Sequence, residues 1–402
     1  MNNIQTSRAS DFHNFVFVVA LFVLLCFLKQ CLVCLYIAGD LAPYLRVVSQ
    51  HMVDWMHTLF VSGVFNITAH HFTLALRTLR PPGGYQTYRN YLQPWEWPKT
   101  KASTATMRKI CSVKRTRSNN EAHKMKGSAS ELLSIYPILA HLVQHEYLEK
   151  GVLQDEAIAL IRLADIVDLL ILVPRGTVDP FKLHVAITEF MGAVVTAFGK
   201  ECLTPKFHQL QHLPQQLHAH RTLISCWVHE RKHKMLKRYC QDVSNTVTFE
   251  ESVLGEVSAH HLFELKNTTG LGVSVGLVDP VGPNKALLEY LLECFPGVAP
   301  EHIRTSQTLR FSEFDCCSKG DVVLLKDDSG FKAGQIWWLA SVYQQCVALV
   351  SSWDAVSKTA TSINWFAVDA PELFAAEDIL ETCIWKRSGG VVTTLLPPSV
   401  RG

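Results

Sequence analysis

The sequence predicts a mixed α/β + α chain, with an apolar helix near its start, a helical middle and a small SH3-like β-barrel toward its end. Three patterns carry this expectation. Phe15 to Leu28 is an unbroken apolar run that resumes after Lys29 and Gln30, from Cys31 to Ala38. Between Ser130 and Lys200, apolar residues recur at helical spacing in three long segments. From Phe311 onward the pattern changes to short β-type runs separated by turn residues.

Residues 15–37 have the length of one membrane crossing, for which about 20 apolar residues suffice, and Lys29 lies far enough off centre to snorkel. Arg8 and the small residues around Ala38 and Gly39 fit a secretory signal as a second expectation. Residues 44–53, with Val47, Val48 and Val53, predict a strand that delivers Asp54 at its end. Leu59, Phe60, Val64, Ile67, Phe72, Leu76 and Leu79 predict a helix over 58–80, stopped by Pro81-Pro82-Gly83-Gly84. The aromatic stretch Tyr85 to Trp97 completes a unit over 44–98.

Residues 99–126 set nine Lys and Arg against one acid, Glu121, and predict a solvated basic linker able to contact phosphate. The segments Ser130–Glu149, Asp155–Val173 and Pro180–Lys200 predict three helices forming an insertion over 127–200. Asp155 and Glu156 stand in the first turn of the second, where the helix dipole favours them. Thr204-Pro205 opens a helix over 206–220, within a unit spanning 201–270. Lys285–Cys294 predicts a short helix, and residues 312–385 predict four or five strands, with Asp327-Asp328-Ser329-Gly330 as a hairpin turn. Alternation sends one member of Trp337-Trp338 inward and the other outward.

At 402 residues the chain has room for on the order of two or three domains. Its 48% apolar and 18% charged content excludes global disorder, and a formal charge of +2 excludes a global field that draws it to nucleic acid. Positive charge is instead concentrated locally. The twelve cysteines follow no regular framework, which predicts reduced thiols.

The most informative stretch is Ser225 to Arg238, reading Ser-Cys-Trp-Val-His-Glu-Arg-Lys-His-Lys-Met-Leu-Lys-Arg. One carboxylate, Glu230, heads a strongly basic segment, an arrangement suited to a metal ion or phosphate. Far upstream, Val53-Asp54-Trp55-Met56-His57 supplies a partner carboxylate. The pair resembles the second and third acidic positions of cut-and-paste transposases of the Kyakuja–Dileera–Zisupton and CACTA type. Lys126-Gly127-Ser128-Ala129-Ser130-Glu131 with Tyr136-Pro137 resembles their helical insertion.

The resemblance covers roughly residues 44–265 and implies an RNase H-like catalytic core, interrupted by the all-helical insertion. It implies Mg²⁺ or Mn²⁺ held by Asp54 and Glu230, with His57 completing the motif. DNA contacts would come from Arg231, Lys232, Lys234, Lys237 and Arg238, joined by Lys109, Lys114, Arg115 and Arg117 of the basic linker. No counterpart of the first catalytic aspartate is evident, since Asp11 and Asp40 lack the expected setting. An incomplete core, as in an N-terminally truncated or degenerate element, and no independent catalysis are therefore expected. His208, His212, His229 and His233, with Cys226 between the pairs, form an alternative zinc set. The implied location is nuclear, or a membrane if residues 15–37 insert and the remainder is an interaction module.

Overall fold

The computed structural model describes residues 52–79, 83–101, 103–226, 252, 255–259, 262, 275–312, 315–327 and 330–401. The apolar segment 15–37, Glu230 and the basic residues after it, His229 and His233 lie outside these residues. The described chain combines a helical body with an extended antiparallel sheet.

The helical body begins with α1 (Trp55–Phe60) and α2 (Val64–Leu76), so the single helix expected over 58–80 is broken once. Gly63 makes the break. A Cβ there would stand 2.1 Å from the Thr58 carbonyl oxygen, so only glycine allows the chain to fold this tightly onto α1. After α3 (Tyr85–Leu92) comes β1 (Trp95–Glu96), which leaves the helical body to join the sheet.

The stretch expected as a basic linker is instead folded. It contains α4 (Thr104–Arg108) and α5 (Val113–Glu121), and Met107, Ile110, Cys111 and Met125 are buried in the helical core. Met125 is held from both sides by Asn66, whose backbone oxygen accepts from Met125 N–H at 2.9 Å and whose side chain donates to Met125 O at 2.7 Å. The few apolar residues among the charges are the anchors, and they outweigh the solvation of the rest.

The helices of the insertion follow the expected pattern. α6 (Ala129–Val143) starts in a capping box between Ser128 and Glu131. It continues into a π-helical turn over Gln144–Leu148. α7 (Gln154–Leu172) and α8 (Pro180–Phe198) pack together, the latter capped by Asp179 with Pro180 at its first turn. The helix expected over 206–220 divides into α9 (Pro205–Gln211) and α10 (Leu213–His220), because Pro214 cannot continue the hydrogen-bond ladder.

The C-terminal part comprises β2 (Gly276–Val278), α11 (Lys285–Cys294), β3 (Ile303–Ser306), β4 (Thr308–Arg310), β5 (Cys316–Ser318), β6 (Val322–Asp327) and β7 (Gly330–Val342). β8 (Gln345–Lys358), β9 (Ser362–Ala375), β10 (Ile379–Thr382), β11 (Trp385–Ser388) and β12 (Val391–Leu395) complete it. The expected small closed barrel is not formed. Nine strands make an open sheet in the order β1-β11-β12-β9-β8-β7-β6-β10, with β3 also paired to β7, while β2-β4-β5 form a second sheet. β8 and β9 run to 14 residues each, too long for a compact barrel wall, and their bulges bend the sheet without closing it. A bulge at Trp337 in β7 also breaks the expected alternation, leaving Trp337 exposed and Trp338 partly exposed. All strand pairs among the described residues are antiparallel.

Body and sheet are joined by polar ties as well as by β1. Lys101 and Arg175 both reach Glu381 of β10, at 2.6 and 3.4 Å. Half-buried Asp168 of α7 pairs with Arg401 and accepts from Tyr136 Oη at 2.7 Å. Burial raises the Asp168 pKa to about 6 in spite of Arg401.

Two predictions follow from this packing. Replacing Gly63 by alanine should destabilise the chain by ~3 kcal/mol, because backbone must move to admit the methyl group; urea unfolding of both proteins measures it. The second concerns pH. Burial pushes His141 down to about 3 and His70 to about 4. Both stay neutral in the fold, so the unfolded chain binds more protons below about 6.5, and their contribution to stability is lost as pH is lowered through that window. Asp168, raised in the fold, acts oppositely between about 6 and its ordinary value. His71 and Asp54 are also held down, whereas Asp165 and Asp321 are raised like Asp168. The part owed to His141 and His70 is therefore a loss of up to about 1.4 kcal/mol of unfolding free energy each per pH unit as pH falls below about 6.5. The variant H141Q should show a shallower slope in urea titrations at successive pH values.

Candidate metal centre

Residues 44–51 of the strand expected over 44–53 lie outside the described residues, and 52–54 are in no strand. Asp54 itself has extended backbone, and the chain returns beside it after the helical insertion. Val53 N–H donates to Gln216 Oε1 at 3.0 Å, and Trp55 N–H donates to the Ile224 carbonyl at 3.2 Å. This return brings Cys226 to Asp54 across 172 positions of sequence, and Cys226 N–H donates to Asp54 Oδ1 at 3.3 Å.

Asp54 occupies the N-cap of α1. Its Oδ1 also accepts from Met56 N–H at 2.9 Å, while its backbone oxygen accepts from Thr58. The second carboxylate oxygen, Oδ2, meets His57 Nδ1 one turn along. Burial alone would raise the pKa of Asp54, but hydrogen bonds from Cys226 and His57, the imidazole charge and Met56 N–H together hold it below the ordinary carboxylate value. The group is therefore an anion at neutral pH.

Lys206 of α9 closes the other end of α1, donating to the carbonyls of His57 at 2.6 Å and Val61 at 2.7 Å. A cation at a helix C-terminus satisfies orphaned carbonyls and complements the dipole. Burial lowers the Lys206 pKa, and the charge of Asp54 opposes that shift.

Asp54, His57 and Cys226 present one carboxylate oxygen, one imidazole nitrogen and one thiol sulfur, all within 4.8 Å of one another. Among the described residues this is the group of three such side chains that could hold an ion. Its composition does not fit Mg²⁺, which takes oxygen donors; the second carboxylate expected here, Glu230, lies outside the described residues.

Of the zinc set expected from sequence, His208 and His212 do meet, Nε2 to Nε2 at 3.0 Å. One ring donates to the other at that distance. Within the basic stretch, Lys109 and Lys114 are exposed. Arg115 instead pairs with Glu131 at 3.4 Å, and Arg117 with Glu121 at 3.1 Å.

Gln216 and Lys206 were not legible as site residues. Nothing in their local sequence marks them; only the return of the chain does. Cys226 was legible as a metal donor, but in company with histidines and not with Asp54.

A second concave feature lies on the sheet, an open groove of about 610 Å³ bordered by Lys99, Gln335, Trp337 and Trp338. Lys319 stands 3.3 Å above the Trp338 ring, so the aromatic face there is already covered by the protein's own cation.

No protein-family model, curated protein or solved structure matches the chain.

Proposed function

We propose that this chain is a derivative of a cut-and-paste DNA transposase of the Kyakuja–Dileera–Zisupton and CACTA type, without independent strand-transfer activity, and that DNA contact through basic side chains is its working property. The observation that carries the reading is the return of the chain to Asp54. An insertion of helices separates two segments that meet again at Cys226, four residues before Glu230. That supports Asp54 and Glu230 as the second and third acidic positions of an RNase H-like core built from residues 44–98 and 201–270.

In this reading Arg231, Lys232, Lys234, Lys237 and Arg238 neutralise the DNA backbone beside Glu230. Lys109, Lys114 and Arg117 add exposed charge, whereas Arg115 is committed to Glu131. Such contacts position a duplex but read few base edges. The location implied is nuclear, with anchorage through residues 15–37 as the competing outcome.

Strand cleavage or joining by the 402-residue chain with Mg²⁺ or Mn²⁺ should be undetectable or unaffected by Glu230→Gln. Robust activity lost in that variant would mean that a first carboxylate is present after all.

Binding to a DNA duplex should weaken steeply with salt, with the apparent slope falling by about one for each phosphate contact removed. Neutralising Lys109 and Lys114 together with Arg231, Lys232 and Lys234 should flatten the salt dependence. Salt-insensitive binding would locate recognition elsewhere. Absence of binding at low salt would favour the membrane-anchored interaction protein, checked by detergent-dependent extraction of the full chain.

A further inference from the structure

We infer that Asp54, His57 and Cys226 form a site for a borderline divalent metal of the Zn²⁺ class, with an open fourth position. The inference does not rest on the transposase reading and assigns Asp54 a different ion from the one that reading implies.

The donor set is the first reason. Thiolate and imidazole select zinc-like ions over Mg²⁺, and a single carboxylate completes an oxygen, nitrogen and sulfur triad. Geometry is the second. Metal–ligand bonds of about 2.0–2.3 Å put donors on one tetrahedral ion within roughly 4 Å of one another. The three donor atoms already lie within 4.8 Å, so small side-chain rotations suffice to bring them onto one ion.

Rigidity is the third. His57 is on α1, one turn beyond its cap Asp54, and Asp54 is fixed through Met56 N–H and Cys226 N–H. Cys226 is in turn brought close by the pairing of Trp55 with Ile224. Lys206, the nearby cation, is turned onto the carbonyls of His57 and Val61.

On binding, the Cys226 thiol proton leaves to solvent and sulfur donates as thiolate. The imidazole binds through Nδ1, whose proton also leaves to solvent while Nε2 keeps its own, and the carboxylate exchanges its contact with Nδ1–H for the metal. Three protein donors leave one position for water. The side-chain exposure of 39% at His57, against 14% at Asp54, gives solvent access to the site from the His57 side.

Cobalt(II) tests this in the full-length protein after removal of bound metal with a chelator. One equivalent should produce visible d–d bands of a four-coordinate ion with a near-ultraviolet thiolate charge-transfer band, displaced by Zn²⁺ and unaffected by excess Mg²⁺. Cys226→Ser should abolish the charge-transfer band, and His57→Gln should weaken Co²⁺ binding at least tenfold, with His208→Gln leaving both unchanged. A second measurement needs no variant: Zn²⁺ should slow alkylation of Cys226 by iodoacetamide, as mapped by peptide mass spectrometry. No charge-transfer band in the unaltered protein, a band that survives in a folded Cys226→Ser variant, or alkylation of Cys226 at an unchanged rate with Zn²⁺ would overturn the site. Loss of the band in His208→Gln would likewise overturn it, by moving the ion to the histidine pair.

Discussion

The carboxylate of Asp54 is the interaction on which the helical body depends. It caps α1, holds His57 and accepts the backbone N–H of Cys226, so one side chain joins the start of a helix to the returning end of a long insertion. Burial alone would raise the pKa of this half-buried carboxylate, but the hydrogen bonds it accepts favour the anion and hold the pKa below the ordinary value. Lys206 does the complementary work at the far end of α1 by gathering its last carbonyls. A helix of six residues has little stability of its own; these end contacts and the burial of Met56, Leu59 and Phe60 hold it in place.

The basic stretch shows how charge can be used inside a fold before it is offered to a partner. Lys101 is spent on Glu381, Arg108 on Glu96 and Arg115 on Glu131. The backbone N–H of Lys99 donates to buried Asp321 at 2.9 Å, and its ammonium donates to the Lys319 carbonyl at 2.5 Å. The Lys99, Lys101 and Arg108 contacts fasten the helical body to the sheet, whereas Arg115 ties two helices of the body together. A cation pointing at phosphate must be exposed and not engaged elsewhere; among the described residues of this stretch Lys109, Lys114 and Arg117 are exposed, Arg117 even while it pairs with Glu121.

Local elements were legible where a short stretch of sequence contains all the physics. The starts of α7, α8 and α9 follow from Asp155 and Glu156, from Pro180 and from Pro205, although Thr204 makes no side-chain capping bond, and the hairpin between β6 and β7 follows from its turn residues. Length was less legible. The sequence predicts short strands, yet β7, β8 and β9 run to 13 or 14 residues, because bulges let a strand bend and continue where periodicity alone implies a stop.

By itself the sequence determined the helical middle and the β-rich end; the contact of Asp54 with His57 came from a helix that starts at Trp55, earlier than the expected residue 58. Tertiary structure alone decided that the basic stretch folds, that the sheet stays open and that Cys226 stands beside Asp54. Each depends on partners far away in the chain: Asn66 on Met125, β1 on β11, and Ile224 on Trp55. Periodicity reports which face of a segment seeks burial. It carries no record of which distant segment provides it, and the identity of a metal donor set is of that second kind.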